Sequence, residues 1–92
     1  MPSQTDTSGS EVTVRYYAGA RAAAGVESEQ VALAGGGTVD DVLTVLRARH
    51  GTRLSEVLTA SSLLLDEVAV RDRTQRPADG SVLDVLPPFA GG

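Results

Sequence analysis

The chain has 92 residues, with 8 basic and 12 acidic side chains, a formal net charge of −4 and no cysteine. That length suits one small domain, and the missing thiols exclude disulfides, thiolate zinc sites and a persulfide on this chain. An acidic chain without a basic stripe is a poor nucleic-acid binder. Since no run reaches membrane-spanning length and no signal peptide is visible, we expect a cytoplasmic protein with no membrane contact.

The N-terminal part begins with a polar leader. Residues 1–10 contain almost no apolar side chain, which predicts disorder. Val12, Val14 and Tyr16 then alternate with more polar neighbours, which predicts a strand with one buried face. The alanine-rich residues 18–24 follow and predict a short helical turn or a tight connection.

A second strand is predicted over residues 27–33, with Glu29, Val31 and Leu33 on one face. The short spacing from the first strand favours a hairpin with an elaborated turn. The three glycines at 35–37 lack the lysine of a phosphate-binding loop, so they are interpreted as a flexible exit into a helix.

The main helix has the strongest pattern in the chain. Thr38 is a good N-cap, and Gly51 occupies the position of a C-terminal glycine. His50, the only histidine, lies in the last turn, where it is expected to interact with the helix dipole and not to serve as a ligand or base. The apolar stripe of this helix consists of Val39, Val42, Leu43 and Leu46.

The second half predicts a short helical segment around Leu54, Val57 and Leu58. Residues 63–65 and 68–70 then indicate two short strands or one bent strand, with a turn at the acidic pair between them. A turn at residues 77–80 precedes a final strand over residues 81–86. In that strand Leu83 and Val85 share one face and Leu86 lies on the other.

These elements predict an α+β domain over residues 11–86, in which one main helix covers one face of a sheet. A tail over residues 87–92 follows. Pro87 and Pro88 lack N–H groups and cannot extend the ladder, so the strand must end at Leu86. Gly91 and Gly92 have no Cβ, which leaves the last carboxylate free to enter a narrow active site.

The tail sequence Pro-Pro-Phe-Ala-Gly-Gly resembles that of the ubiquitin-like sulfur carriers of the MoaD/ThiS type, most closely the small subunits of molybdopterin synthase. The element order likewise resembles the β-grasp fold. The resemblance implies a mixed sheet with the first and last strands parallel at its centre. It covers residues 11–92, and its specific part is the turn at Asp79-Gly80, the last strand and the tail.

The resemblance also implies a chemistry for the tail. Gly92 would be adenylated and then converted to a thiocarboxylate, and Gly91 would allow the tail into the partner's active site. The ATP would be used by an E1-like adenylating enzyme of the MoeB/ThiF type, with no cofactor bound tightly by this chain and no metal. The larger catalytic subunit of molybdopterin synthase would be the second partner. The expected partner-binding residues are Leu86, Pro87, Pro88, Phe89 and Ala90.

Three classes of function remain open from the sequence. The favoured one is a non-enzymatic sulfur carrier for molybdopterin, with a variant that feeds thiamine, cysteine or a specialised metabolite. The second is a ubiquitin-like modifier joined through Gly92 to lysines of other proteins. The third is an interaction module with an inert tail.

Overall fold

The computed structural model describes residues 9–88, so the first eight residues and the last four lie outside the description. Five strands form one sheet in the order β2-β1-β5-β3-β4, and three helices accompany it. The elements are β1 (Ser10–Tyr16), α1 (Ala18–Ala24), β2 (Ser28–Leu33), α2 (Val39–His50), α3 (Thr52–Ala60), β3 (Ser62–Leu65), β4 (Val68–Ala69) and β5 (Val82–Leu86).

The centre of the sheet is formed by the first and last strands. β1 and β5 run parallel, with Val14 opposite Leu83 and Tyr16 opposite Val85. β2 pairs with β1 and β3 pairs with β5, both antiparallel. This arrangement confirms the predicted β-grasp fold, including the parallel central pair.

The first hairpin contains a helix in its connection. β1 and β2 pair antiparallel with Ser10 opposite Leu33, and α1 lies between them in the chain. α1 ends at Gly25, whose φ of 80° is in the left-handed region that glycine adopts without strain. The predicted elaborated turn is therefore a two-turn helix.

α2 begins and ends at the predicted residues. The Thr38 side chain accepts a hydrogen bond from the Asp41 N–H at 3.2 Å, and the Asp41 carboxylate accepts one from the Thr38 N–H at 2.9 Å. This reciprocal pair is a capping box, which satisfies N–H groups that the first turn of a helix leaves free. The four stripe residues of α2 have no exposed surface.

Two shorter helices, α1 and α3, accompany the main helix α2, and α3 includes the helical segment predicted around Leu54. α3 contacts both α1 and α2, and it buries Leu54 and Leu58 completely. The core therefore has contributions from every element except β4. Its members are Val12, Val14, Tyr16, Ala20, Val31, Leu33, Val39, Val42, Leu43, Leu46, Leu54, Leu58, Leu63, Leu65, Leu83 and Val85.

A tight turn separates β3 from β4, so these are two strands and not one bent strand. Asp66 and Glu67 have φ angles of 49° and 71°, and two consecutive positive φ angles characterise the two-residue hairpin turn that matches the twist of the strands. The Asp66 carboxylate accepts a hydrogen bond from the Val82 N–H at 2.9 Å, which ties the turn to the start of β5.

The predicted turn before β5 is anchored to the start of β1. The Ser81 N–H donates to the Ala78 carbonyl at 3.1 Å, and Gly80 has a φ of 87°. The Asp79 carboxylate accepts from the Glu11 N–H at 2.7 Å. Glu11 lies near the start of β1, and Asp79 lies three residues before the start of β5. The hydrogen bond between them therefore helps to fix the register of β5 against β1.

Among residues 9–88, no helix combines the length and apolar character needed to cross a bilayer.

Candidate functional site

The point where the chain leaves the sheet is the end of β5. Leu86 is the last residue of that strand and lies opposite Ser62 of β3. Pro87 is half-buried and Pro88 is exposed, both outside the strand. Since neither proline has an N–H to donate, pairing with the neighbouring strands stops here. The tail therefore starts from a fixed position at the centre of the sheet.

The other predicted tail residues are Phe89, Ala90, Gly91 and Gly92, and they lie outside the described residues. Their roles stay predictions. What the structure adds is the surface from which they leave.

The face of the sheet opposite the helices carries the outward residues of β5. Leu83 and Val85 have no exposed surface, whereas Leu86 and Val82 keep part of theirs. This difference follows the period of two along a strand. Leu86 accordingly lies on the helix-free face, beside the start of the tail.

An ion pair lies in the middle of this face. Arg15 of β1 and Asp84 of β5 are directly opposite each other in the parallel pair. The Arg15 Nε donates to Asp84 Oδ1 at 2.6 Å and its NH2 group donates to Oδ2 at 3.1 Å. The Asp84 side chain is only 7% exposed and that of Arg15 45%. The hydrogen bond to Asp84 and the charge of that carboxylate raise the pKa of Arg15.

Tyr17 and Leu64 complete this surface. The Tyr17 hydroxyl lies 3.4 Å from Asp84 Oδ1, and Leu64 lies opposite Asp84 on β3. Both side chains are half-buried. We call the group of Arg15, Tyr17, Leu64, Asp84 and Leu86 the tail-root face. It joins apolar side chains to a bidentate ion pair with an exposed guanidinium, a composition suited to contact with another protein.

Of the tail-root face, only Leu86 was predicted from the sequence as a contact residue. The other four members, Arg15, Tyr17, Leu64 and Asp84, were not. A signal was present, because Asp84 is a charged residue in the middle of an otherwise apolar strand. A buried carboxylate needs a partner, and Arg15 is the basic residue of the strand predicted to lie beside it.

A second polar cluster lies at the C-terminal end of α2. The Glu29 carboxylate accepts from the Tyr16 hydroxyl at 2.5 Å and from Arg49 NH1 at 2.9 Å, and its Oε2 lies 2.5 Å from His50 Nε2. His50 was predicted to interact with the helix dipole. Besides lying in the last turn of α2, it contacts this carboxylate.

The surroundings of Glu29 act on its ionisation in opposite directions. Burial disfavours the charge, but the hydrogen bonds from Tyr16, His50 and Arg49 outweigh burial and hold the pKa of Glu29 below its ordinary value. Burial, together with the bond to Glu29, raises the pKa of Tyr16, so its hydroxyl remains a donor. The cluster ties the end of α2 to β1 and β2 and lies on the helix-covered face.

No group of three or more His, Asp or Glu side chains within residues 9–88 is arranged to hold a metal ion. The arrangements that these residues do show are a partly apolar surface with an ion pair next to the tail and a carboxylate cluster on the helix-covered face.

Comparison with solved structures finds similar proteins of this size. One is a Pyrococcus furiosus protein provisionally assigned as molybdopterin converting factor subunit 1, with 25% identity, a TM-score of 0.74, and coverage of 87% of this chain and 99% of that one. Small archaeal modifier protein 1 from Haloferax volcanii has 26% identity, a TM-score of 0.79, and coverage of 89% and 99%.

A third similar structure is the complex of subunits 1 and 2 of the molybdopterin-converting factor from Helicobacter pylori. At 21% identity, a TM-score of 0.65 and coverage of 89% and 99%, it shows the shared fold. A search of curated proteins finds no significant match.

A family model matches residues 14–92, from the middle of β1 through the two final glycines. The matched region includes the second half of β1, all of β5, the tail-root face and the tail. The chain therefore belongs to the ThiS family, as a ubiquitin-like protein with the β-grasp fold of the MoaD/ThiS type.

Proposed function

We propose that this chain is a sulfur carrier whose Gly92 carboxylate is adenylated and then converted to a thiocarboxylate. The observation that carries the proposal is the family match, which runs through Gly92. The geometry supports it, because β5 ends at Leu86 and the tail begins outside the sheet. An extended tail of residues 87–92 reaches about 20 Å at roughly 3.3 Å per residue.

A carboxylate resists attack by sulfur, so it must first be activated. The Gly92 oxygen attacks the α-phosphorus of ATP, and pyrophosphate leaves. The terminal sulfur of a partner's persulfide then attacks the carbonyl carbon of this mixed anhydride and displaces AMP, which leaves an acyl disulfide. A second thiol of the partner attacks the S–S bond, forms a disulfide with the first partner sulfur and releases the Gly92 thiocarboxylate. Because this chain has no cysteine, every thiol in the sequence of steps belongs to a partner. ATP is bound by the activating enzyme, an E1-like partner of the MoeB/ThiF type.

The tail-root face gives the carrier a body that a partner can hold. Leu86 and Tyr17 offer apolar contact beside the tail, and the exposed part of Arg15 offers a cation. A partner that covers this face receives the tail in a defined direction, because Pro87 and Pro88 each restrict φ. The chain is in this proposal a carrier subunit, and catalysis belongs to its cytoplasmic partners.

The acceptor that we favour is the molybdopterin precursor, bound by the larger catalytic subunit of molybdopterin synthase. Similarity to the Pyrococcus furiosus protein supports this choice. Delivery to thiamine, cysteine or a specialised metabolite uses the same loading chemistry, and the cellular acceptor distinguishes these variants.

The second candidate is a protein modifier, favoured by the similarity to small archaeal modifier protein 1. In that case Gly92 forms an isopeptide bond with lysines of other proteins. The chain has no lysine of its own, since its basic side chains are all arginine.

The test is the intact mass of the protein isolated from its own cells. For a sulfur carrier, a fraction of the chain is heavier by the difference between one sulfur and one oxygen atom. Adding one residue after Gly92, or deleting Gly92, should abolish this fraction. The circular dichroism spectrum should not change, because β5 ends six residues earlier.

The matched control is a chain with one residue added at Met1, which should load sulfur normally. Sulfur loading by a chain extended beyond Gly92 would contradict the proposal. A Gly-Gly remnant on lysines of other proteins, without any sulfur-loaded fraction, would favour the modifier.

A further inference from the structure

The free edge of β2 is the starting point for a second binding site. Within residues 9–88, β2 pairs only with β1, so one side of it has no neighbouring strand from this part of the chain. The Tyr16 N–H donates to the Glu27 carbonyl at 2.9 Å, so Glu27 directs its backbone groups toward β1. From there on, successive residues of β2 alternately direct their N–H and C=O groups toward β1 and away from it. The backbone groups of Gln30 and Ala32 therefore point away from β1.

One part of this edge is already covered. Arg49 of α2 donates to the Gln30 carbonyl at 2.8 Å while its NH1 group also holds Glu29. A charged side chain across an edge strand prevents pairing with other chains. Arg49 thus closes the edge at Gln30 and leaves it open at Ala32.

A cleft lies beside the open part of the edge. It measures about 400 Å³ and runs between the end of β2 and α2. Its apolar wall includes Leu33 and Val45, and the three glycines 35–37 present no side chains that would fill it. Gly37 could not carry a side chain, because a Cβ there would lie 2.9 Å from Leu33 Cβ.

The charge of the cleft indicates what would fit. Of the described residues that line it, Asp41 is the charged one. The N–H and the hydroxyl of Thr38 both donate to Oδ2 of Asp41. The other oxygen of this carboxylate, Oδ1, accepts no hydrogen bond from residues 9–88. The chain as a whole carries a net charge of −4. A cationic side chain complements this end of the cleft.

We propose that this cleft binds an extended basic segment of a partner protein, which adds a strand to β2 at Ala32. Backbone hydrogen bonds to Ala32 would supply affinity, an apolar side chain would enter the cleft against Val45, and a lysine or arginine would pair with Asp41. We call this the β2 edge site.

The β2 edge site lies at the opposite end of the sheet from the tail. Leu33 is opposite Ser10 at the start of β1, whereas the tail follows the end of β5, where Val85 is opposite Tyr16 at the end of β1. A partner bound at the β2 edge site would hold the carrier and leave the tail free for an enzyme. The site does not depend on the proposed tail chemistry.

The probe is a seven-residue peptide of alternating lysine and valine with blocked ends, added to the full chain. The readout is hydrogen exchange of individual amides by NMR. At saturation, exchange of the Ala32 amide should slow by about tenfold, since its N–H becomes bonded. The Val31 amide faces β1 and should not change. A twin peptide with glutamate in place of lysine should give no protection.

Two variants test the charge and the edge. Asp41→Asn should weaken binding of the basic peptide by about fivefold, whereas Asp40→Asn, outside the cleft lining, should leave it unchanged. Ala32→Pro should abolish binding, because proline removes the outward N–H. Sulfur loading of Gly92 should be normal in all three, which separates this site from the tail. If Ala32→Pro does not fold, the two aspartate variants still decide.

Four results would overturn the proposal. Equal protection of the Ala32 amide by the acidic peptide would show that charge does not select the occupant. No protection by the basic peptide would show that the edge does not bind such a segment. Protection that rises with protein concentration alone would identify a second copy of the chain as the occupant. Protection without peptide that disappears when residues 1–8 are deleted would identify the chain's own leader.

Discussion

Two carboxylates on opposite faces of the sheet depend on partners from distant parts of the chain. Asp84 is covered by Arg15, 69 residues earlier, and Glu29 is bound by side chains from β1 and α2. Removing one partner of a buried charge destabilises more than the pair itself contributes, because the remaining charge is left unsolvated. Both carboxylates therefore constrain which substitutions their partners tolerate.

Glu29 makes the stability of the domain depend on pH. Its pKa is below the ordinary 4.5 in the folded protein, so ionisation favours the folded state above that value and the benefit is lost as the pH falls through the folded pKa. Glu29→Gln should lower the free energy of unfolding by about 1–2 kcal/mol at neutral pH. The difference from the unmodified chain should shrink below pH 4.5, as measured by denaturant unfolding.

The control for Glu29→Gln is a substitution that removes an acidic side chain elsewhere on the surface. Asp40→Asn is suitable, since it also replaces a carboxylate by an amide, at an exposed position. A Glu29→Gln effect of the same size at pH 3 and pH 7 would show that the charge of Glu29 is not responsible.

For individual residues, the sequence predicted which side chains are buried but not which polar side chains form hydrogen bonds with each other. Alternation placed Val12, Val14 and Tyr16 inside, and they are at most 1% exposed. The Arg15–Asp84 pair depends on the register between two strands that are far apart in sequence. A period of two shows on which face a residue lies and not what lies opposite.

Among the elements, α2 was the easiest to predict, because its cap, its stripe and its final glycine agree. Leu43 lies in the middle of the stripe and has no exposed surface. Leu43→Ala should destabilise the domain by about 2–5 kcal/mol through lost burial and a residual cavity. The measurement is the unfolding midpoint in urea with the slope compared between variants.

The matched control for Leu43→Ala is Thr44→Ala on the next, exposed position of α2. It should change the stability by no more than about 0.5 kcal/mol. Equal effects of the two substitutions would mean that helix propensity and not core packing decides.

Short elements were harder to predict than α2. The alanine-rich α1 was left as a helix or a connection, since seven residues show less than two full periods. β3 and β4 were left as two strands or one, because the deciding feature is the positive φ at Asp66 and Glu67. Neither residue is a glycine, so composition alone did not mark the turn type.

For the whole molecule, the division into a body and a tail predicts that binding and stability separate. Phe89 is the only phenylalanine and follows the two prolines. Because it belongs to the expected partner-binding residues of the tail, we predict that it is an apolar anchor for the partner. Phe89→Ala should weaken binding to the partner about thirtyfold, equivalent to roughly 2 kcal/mol, with little change in melting temperature. Calorimetric titration against the partner measures the affinity.

The control for Phe89→Ala is Leu83→Ala, a fully buried residue of β5 that should lower the melting temperature. If Phe89→Ala lowers the melting temperature as well, the side chain packs on the body. If it changes neither quantity, it is not an anchor.

The central position of β5 also sets the order of events during synthesis. Ribosomes make the chain from its N-terminus, and β1 must wait for a neighbour that is about 70 residues later in the sequence. β3 likewise has β5 between itself and β1. The sheet can therefore be completed only after β5 has been translated, immediately before the tail. A nascent or prematurely ended chain lacking β5 has no tail-root face, so partners that require this surface would bypass unfinished chains.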